Sequence, residues 1–593
     1  MATAERSQRP QQRAGAAQRR SRRWAWPGLA LVLGGGLALR LWGVQQGLPY
    51  VYNTDEGDHF VPRAVTMFQD GSLNPHYFAN PPAFTYLLHY LFDAWYGGRE
   101  GVLRAFQLHS ADVYTLARVA AALLGVCALW LLYATGARLL GRGVGLLAAA
   151  IEAVAFLPVF YAHLALNDVP TLAPLTLSLL GSAGVLRKGR TRDYLIAGVG
   201  LGLACASKYT AGIVVLCLLA AAVARALDAD AGALSGVVGG LLLAGAGALL
   251  AFLVANPYAL LDYASFHREL VHQSTLSAEG QGKLGAPKAG GLAYYLWSLT
   301  WGLGWAPALA ALGGAVAIWR ARPRRQMRAV GWLLVPAALA YLAFMGLQGR
   351  YFGRWLLPIF PLLCLLAAFF ALQLVLAAGR LAAPRALPAA LAVVLVAALL
   401  AQGLIYSVHS GLVLSRADTR NLTRTWMLAH IPRDAAIVAE PVSPDNWARQ
   451  TAAPASPHNP YLWVKYPSLV SRLGAHGQLE PRFTHEVGIE DYERTLVPAL
   501  IGYYESRGYC WVISGSTQSG RAFADPSAVP AAIAYYRALA RQGEVVYRSS
   551  PYASGRGPVA FGFDWSFDYY PLAYQRPGPV MTIYRLHGGR CAA

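Results

Sequence analysis

The stretch Asn53-Thr54-Asp55-Glu56-Gly57-Asp58-His59-Phe60 lies a few residues beyond the first long apolar run of the chain, near 25–46. It gathers three carboxylates and an imidazole into five positions, in a sequence of which 13% is charged. Ionisable groups at a bilayer face are costly to desolvate and usually mark a functional site. The fold follows from asking which other polar residues reach the same side of the apolar runs.

The 593 residues are 56% hydrophobic, with a mean hydropathy of +0.37. That balance excludes an ordinary soluble protein and a disordered one, and points to many membrane spans. The net charge of +20 comes from short basic clusters between apolar runs. Such clusters read as topology signals and not as a stripe for nucleic acid, so no nucleic-acid partner is expected. Cys127, Cys205, Cys217 and Cys364 fall in apolar spans and read as small core residues. Cys510 and Cys591 lie in the polar C-terminal part, where an oxidising compartment would allow them to pair. Residues 1–23, with seven arginines and no apolar periodicity, read as a disordered basic tail before an uncleaved first helix.

Runs able to cross a hydrocarbon core of about 30 Å fall near 25–46, 113–137, 143–161, 168–186, 193–208, 210–225, 233–256, 291–319, 330–347, 355–378 and 387–409. With the basic tail inside the cell, alternation puts Arg138, Arg142, the 187–192 run, Arg225, the arginines from Arg320 to Arg328, Arg380 and Arg385 inside as well. That is the asymmetry the positive-inside rule requires. The outer face then receives the 46–112 loop, the tip 163–168, Lys208, the 256–290 loop, the 349–354 segment and everything after 410. In the first outer loop, residues 84–96 follow Pro81-Pro82, are rich in aromatics and are too short to span; they read as an interfacial helix.

Beyond about Arg416 the hydropathy falls. Strands near 436–439, 510–514, 545–548 and 580–586 alternate with helices near 492–507 and 531–541. The glycines at 515, 520 and 578 show no strand–GxGxxG–helix setting. The expected fold is therefore a polytopic α-helical membrane protein of about eleven transmembrane helices with a C-terminal soluble α/β domain. Its parts are a tail at 1–23, a membrane module at 24–410 with the outer loop 47–112, and an extracytoplasmic domain at 411–593.

Several outward residues could do chemistry. Asp55 and Glu56 could divide labour, one accepting a proton while the other orients a partner, although Asn53-Thr54-Asp55 could equally cap a helix. Asp168 opens the fourth run, either as a cap or as a second carboxylate facing Asp55. Lys208, Arg350 and Arg354 break the inward bias of the basic residues. A snorkelling lysine would explain one of them; an anionic partner such as a lipid phosphate would explain all three. Arg118, inside the second span near its outer end, needs a partner. His59, His76 and His163 could carry protons but read first as structural. Outward carboxylates and cations beside lipid suggest a carboxylate that activates a hydroxyl and cations that stabilise a departing phosphate. A transporter or flippase would instead distribute polar groups through the span interiors. A non-enzymatic scaffold gives no reason for the outward cations.

Thr54-Asp55-Glu56 with His59-Phe60, Phe78-Ala79-Asn80-Pro81-Pro82, Asn167-Asp168-Val169-Pro170, Ala206-Ser207-Lys208-Tyr209-Thr210 and Arg354-Trp355-Leu356-Leu357-Pro358 together resemble the C-type glycosyltransferases. The likeness is especially to bacterial relatives of protein O-mannosyltransferases and of lipid A aminoarabinose transferases, over residues 25–410. The resemblance implies a plasma-membrane enzyme that moves a hexose or pentose from a polyprenyl-phosphate carrier to a protein, lipid or polysaccharide acceptor. Transfer would occur on the non-cytoplasmic face with inversion. It implies Asp55 as base, Glu56 as its support and Asp168 as organiser of the acceptor or of a divalent cation. Lys208, Arg350, Tyr351 and Arg354 would hold the carrier phosphate, with Asn80, His59 and Arg118 lining the substrate site. The family is mixed in its use of metals, so no metal is assigned. Ala79-Asn80 departs from the Glu-Lys or His that relatives carry before proline, which leaves donor sugar and acceptor open.

Overall fold

The computed structural model describes residues 25–227, 231–279, 283–288, 290–380, 386–442, 444–450, 461–466, 471–473, 479–481, 492–565 and 569–592. The basic stretch 1–23 and Arg385 lie outside the described residues. All eleven apolar runs are helical in whole or large part. Seven described helices are long and apolar enough to cross a membrane, among them Ser110–Leu139, Gly353–Ala378 and the one that starts at Leu387. Ala25–Leu41 and Leu172–Arg187 are shorter.

Helices are the natural solution for such a sequence because they satisfy every backbone group within the segment. Small residues then bring the helix backbones together. On the helix Thr191–Ser207, a Cβ at Gly198 or Gly202 would collide with the carbonyls of Ala244 and Ala248 on the helix Ala231–Ala255. The run at 143–161 is two helices, Arg142–Val154 and Phe156–Tyr161, with Ala155 extended between them. Pro158 has no N–H to offer Val154, and the hydroxyl of Ser407 donates to that carbonyl at 2.9 Å instead.

Helical regularity fails again where outward polar residues sit. Ser207 ends its helix, Lys208 is extended, and a 3₁₀ turn runs from Tyr209 to Val214. Another 3₁₀ segment, Gly353–Ile359, carries Arg354. Irregular backbone at membrane depth persists where it faces protein or a cavity. The expected interfacial helix is present at Ala83–Tyr96; Phe84, Leu88 and Phe92 are buried while Leu87, Tyr90 and Trp95 stay exposed on the other side.

The C-terminal part holds strands β1 (Ala436–Ala439), β2 (Val464–Lys465), β3 (Ser471–Leu473), β4 (Leu479–Pro481), β5 (Tyr509–Gly515), β6 (Glu544–Ser549) and β7 (Met581–Arg585). Five of them form a mixed sheet in the order β2-β1-β5-β7-β6, with β1 parallel to β2 and β5, and β7 antiparallel to β5 and β6. β5 is central, and its Val512 and Ile513 are buried toward opposite faces, as a covered strand requires. Helices Ala499–Arg507, Ser516–Ala524 and Pro530–Gln542 pack with it. Cys510 and Cys591 form a disulfide. The sequence reading missed one helix: Gly515 ends a strand and Ser516 begins a helix, although 515–520 carries no GxGxxG. Periodicity hid this because the helix follows with no loop.

This part docks on the start of the 46–112 segment. Tyr50 packs into its second core beside Trp463, and the Arg420 guanidinium lies 3.5 Å over the Tyr52 ring. Tyr52 donates to Asn421 Oδ1 at 2.5 Å.

Candidate active site

The acidic stretch forms a tight helical turn. Asn53 Oδ1 accepts from the Glu56 N–H at 3.0 Å, so capping is real and Asn53 performs it. The turn Glu56–Phe60 is wound with π-type spacing, and its two leading carboxylates point to different surroundings. Glu56 is fully buried and Asp55 is 38% exposed.

Glu56 receives a two-pronged pair from Arg118, at 2.7 and 2.8 Å, and the N–H of Ala165 at 2.8 Å. Arg118 also donates to the carbonyls of Val44 and Gln46. The pair therefore staples the acidic turn to the helix Ser110–Leu139, to the chain leaving the first helix and to the 162–168 tip. With four N–H bonds spent on the protein, Arg118 is placed to position the turn.

Asp55 faces the opening. Its Oδ2 lies 2.5 Å from Arg354 Nη2 and its Oδ1 3.8 Å from His59 Nε2. Arg354 Nε is 3.8 Å from Asp168 Oδ2, and Asp168 pairs through its other oxygen with Lys208. Four residues predicted from sequence, far apart in number, thus form one alternating chain: Asp55, Arg354, Asp168, Lys208. Asp168 does not cap the following helix, whose N-cap is Thr171. Its neighbour Asn167 donates to the Ser207 carbonyl at 2.6 Å, fixing the two broken helix ends together.

Burial would raise the Asp55 pKa. Arg354 first, then His59, Lys283 and Lys208, outweigh it and hold the carboxyl below its ordinary value. Asp55 is therefore ionised throughout the neutral range.

His59 stacks on Tyr77, ring centroids 4.6 Å apart, and Asn80 donates to the Tyr77 hydroxyl at 2.7 Å. His59 and Asn80 thus belong to the cluster through a tyrosine that the sequence did not single out. Arg350 and Tyr351 do not join it. Arg350 pairs with Glu279 at 3.7 Å, and Tyr351 donates to the Pro287 carbonyl at 2.6 Å while packing on Tyr294. The chain turns between 351 and 354, which aims Arg354 inward and leaves the two earlier residues on Glu279 and Pro287.

Sequence reading also missed Glu269, which accepts the N–H groups of Phe78 and Ala79 and so clamps the Asn80 loop from the helix Tyr263–Ala278. It missed Lys283, whose ammonium lies 4.6 Å over the Phe352 ring, and Tyr569, whose hydroxyl meets that of Tyr161 at 2.9 Å beneath Arg354. Lys283 was findable by the rule that flagged Lys208, an outward lysine against the charge bias. Tyr569 carried no such mark.

Among the described residues, no three His, Cys, Asp or Glu side chains converge in a way that could hold a metal ion. Both cluster carboxylates already face cations of the chain itself. Among the described residues, then, the site offers no donor set for a resident divalent cation.

Residues 105–258 match the family model of dolichyl-phosphate-mannose-protein mannosyltransferases. No curated protein matches the chain in sequence. The oligosaccharyltransferase AglB of Archaeoglobus fulgidus, solved with an inhibitory peptide and a dolichol-phosphate, superposes with a TM-score of 0.52 at 13% identity, covering 89% of this chain and 73% of its own. ArnT of Cupriavidus metallidurans, solved with undecaprenyl phosphate, gives a TM-score of 0.47 at 14% identity over 94% of this chain and 98% of its own. At such identities the likeness is one of fold. The chain shares the fold of AglB, and residues 105–258 within it match the protein mannosyltransferase model.

Proposed function

We propose that this protein transfers a sugar from a polyprenyl-phosphate carrier to an acceptor hydroxyl at the non-cytoplasmic membrane face, with inversion. Asp55 is the base, and Arg354 and Lys208 receive the phosphate. The observation that carries the reading is the half-exposed, ionised Asp55 beside cations on three separate segments. It fits a reaction that needs one proton acceptor next to one developing phosphate charge. The family-model match over residues 105–258 and the fold shared with AglB, solved with a dolichol-phosphate, support the same chemistry.

In the step proposed, the acceptor oxygen attacks the anomeric carbon and gives its proton to the Asp55 carboxylate. The bond from that carbon to the carrier phosphate breaks, and the phosphate leaves with both electrons. A phosphate that binds Arg354 competes with Asp55 for the same guanidinium. Donor binding therefore loosens the clamp on Asp55 and raises its basicity for the step. Glu56 with Arg118, and His59 with Tyr77 and Asn80, act by positioning.

The placement we favour keeps the N-terminus in the cytoplasm, about eleven spans over 24–410, and 411–593 as a domain outside. The acceptor is a protein, a lipid or a polysaccharide. A transport reading is disfavoured because the paired charges gather at the ends of helices, around 55, 118, 168 and 208. Purified protein incubated with a panel of polyprenyl-phosphate sugars and envelope fractions tests the proposal. Wild type should transfer label and Asp55→Asn should not, and label movement across the bilayer without covalent transfer would favour transport.

A further inference from the structure

The C-terminal part contains a cavity of about 740 Å³ that the membrane site does not use. It opens over β6 and β7, between the helices Ser516–Ala524 and Pro530–Gln542 and the stretches 552–561 and 570–580. Its volume falls within the range of roughly 300–1,000 Å³ typical of small-molecule sites. Among the described residues, Arg420, Arg537 and Arg548 are its only charged lining side chains, and no carboxylate lines it. Arg420 is paired with Asp418 at 2.8 Å, so Arg537 and Arg548, both exposed, are the guanidiniums best placed to meet a ligand anion. Rings such as Tyr552 and Tyr574 supply flat faces, and Thr517 with its neighbours supplies hydroxyls at the strand-to-helix turn.

We propose that this cavity binds an acidic saccharide. Flat rings suit the C–H faces of sugars, the hydroxyls suit their O–H groups, and two forked cations, with no carboxylate among the described lining residues, suit a uronate or phosphate substituent. A neutral ligand leaves the arginines unexplained, and a bare anion leaves the rings unexplained.

The walls of the cavity run toward Asp55. Arg420 lies on the ring of Tyr52, three residues before Asp55. Lining residue Tyr570 follows Tyr569, which bonds Tyr161 beneath Arg354. On the transfer reading given above, the saccharide held here belongs to the acceptor. The binding assignment itself does not depend on that reading.

Titration calorimetry of the full-length protein in detergent with trigalacturonate, maltotriose and inorganic phosphate tests it. Trigalacturonate should bind, with maltotriose and phosphate each weaker by about tenfold or more. The double variant Arg537→Ala/Arg548→Ala should lose about tenfold in trigalacturonate affinity at an unchanged melting temperature, and Arg548→Glu should lose more. Asp55→Asn should bind as wild type does, which separates this site from catalysis. No binding, equal binding of maltotriose, equal binding of phosphate, or an unaffected double variant would each overturn the proposal.

Discussion

Arg354 grips Asp55 at 2.5 Å, and the same guanidinium stands 3.8 Å from Asp168, so one cation serves two carboxylates. Removing the charge of Asp55 at constant size removes the proposed base. Asp55→Asn is expected to cut transfer by roughly 10²–10⁴-fold while the protein folds normally. Full turnover by this variant in a radiolabel assay would remove Asp55 from the reaction.

The same contact sets the pH dependence. A base works ionised, so activity rises with pH through its pKa, and the pKa of Asp55 lies below its ordinary value. In wild type the acid limb of kcat/KM should therefore fall below about pH 3.9, the usual aspartate value. Arg354→Gln weakens the first of the cations that lower it and should move the limb upward. Because donor phosphate competes for Arg354, the limb of kcat should lie above that of kcat/KM. Coincident limbs in wild type would contradict that exchange.

The buried pair of Glu56 and Arg118 should act on stability before chemistry. Removing either partner strands a buried charge, which costs about 3–5 kcal/mol in comparable pairs. Glu56→Gln and Arg118→Met should each lower the melting temperature in detergent. The double variant should lose clearly less than the two losses added together. Simple additivity would mean that the pair does not form the staple.

How much of this was legible depended on which physical signal each residue carried. Asp168, Lys208 and Arg354 were visible because charge is scarce in an apolar chain and they lie on the side where basic residues are depleted. The same signal grouped Arg350 and Tyr351 with them, though they stand apart from that chain of charges, since side of membrane says nothing about which way a short turn aims its side chains. Apolar alternation located β1, β5, β6 and β7, because each strand rests on a core that its own sequence displays. Tyr569 was beyond reach: its partner Tyr161 is 408 positions away, and a tyrosine in a polar loop looks like any other. Glu56 and Arg118 each announced a need for a partner without naming it, as buried charges do.

Glu440, which accepts from Ser514 Oγ at 3.0 Å and from the Gly515 N–H at 2.8 Å, gives the C-terminal part its own pH dependence. Burial pushes its carboxyl up to about 7, outweighing those hydrogen bonds. Folding therefore favours the protonated form. The contribution is fully present below the unfolded value of about 4.5, is lost as pH rises through about 7, and amounts to roughly 3 kcal/mol. Glu440→Gln keeps an acceptor and removes the titration. The unfolding midpoint of wild type should fall between pH 5 and 7.5, and that of the variant should fall less. Equal slopes would place the titration elsewhere.

The disulfide between Cys510 and Cys591 joins the start of the central strand to the end of the chain, 81 positions apart. The same end is held to the helix Ala499–Arg507 by the Gly588 N–H on Glu505 Oε1 at 2.7 Å. Closing a loop of that length removes unfolded-state freedom worth roughly 4–5 kcal/mol in the chain-entropy account. Cys591→Ser should lower the midpoint of the C-terminal transition, and reductant should bring wild type to the same value. A bond of this kind persists in an oxidising compartment, as the outer face of a membrane provides. In intact cells, therefore, an impermeant maleimide should label Cys510 and Cys591 only after brief exposure to an impermeant reductant. Labelling of both without reductant, or of neither after it, would be incompatible with a bonded pair outside the cell and would require a different placement of the chain.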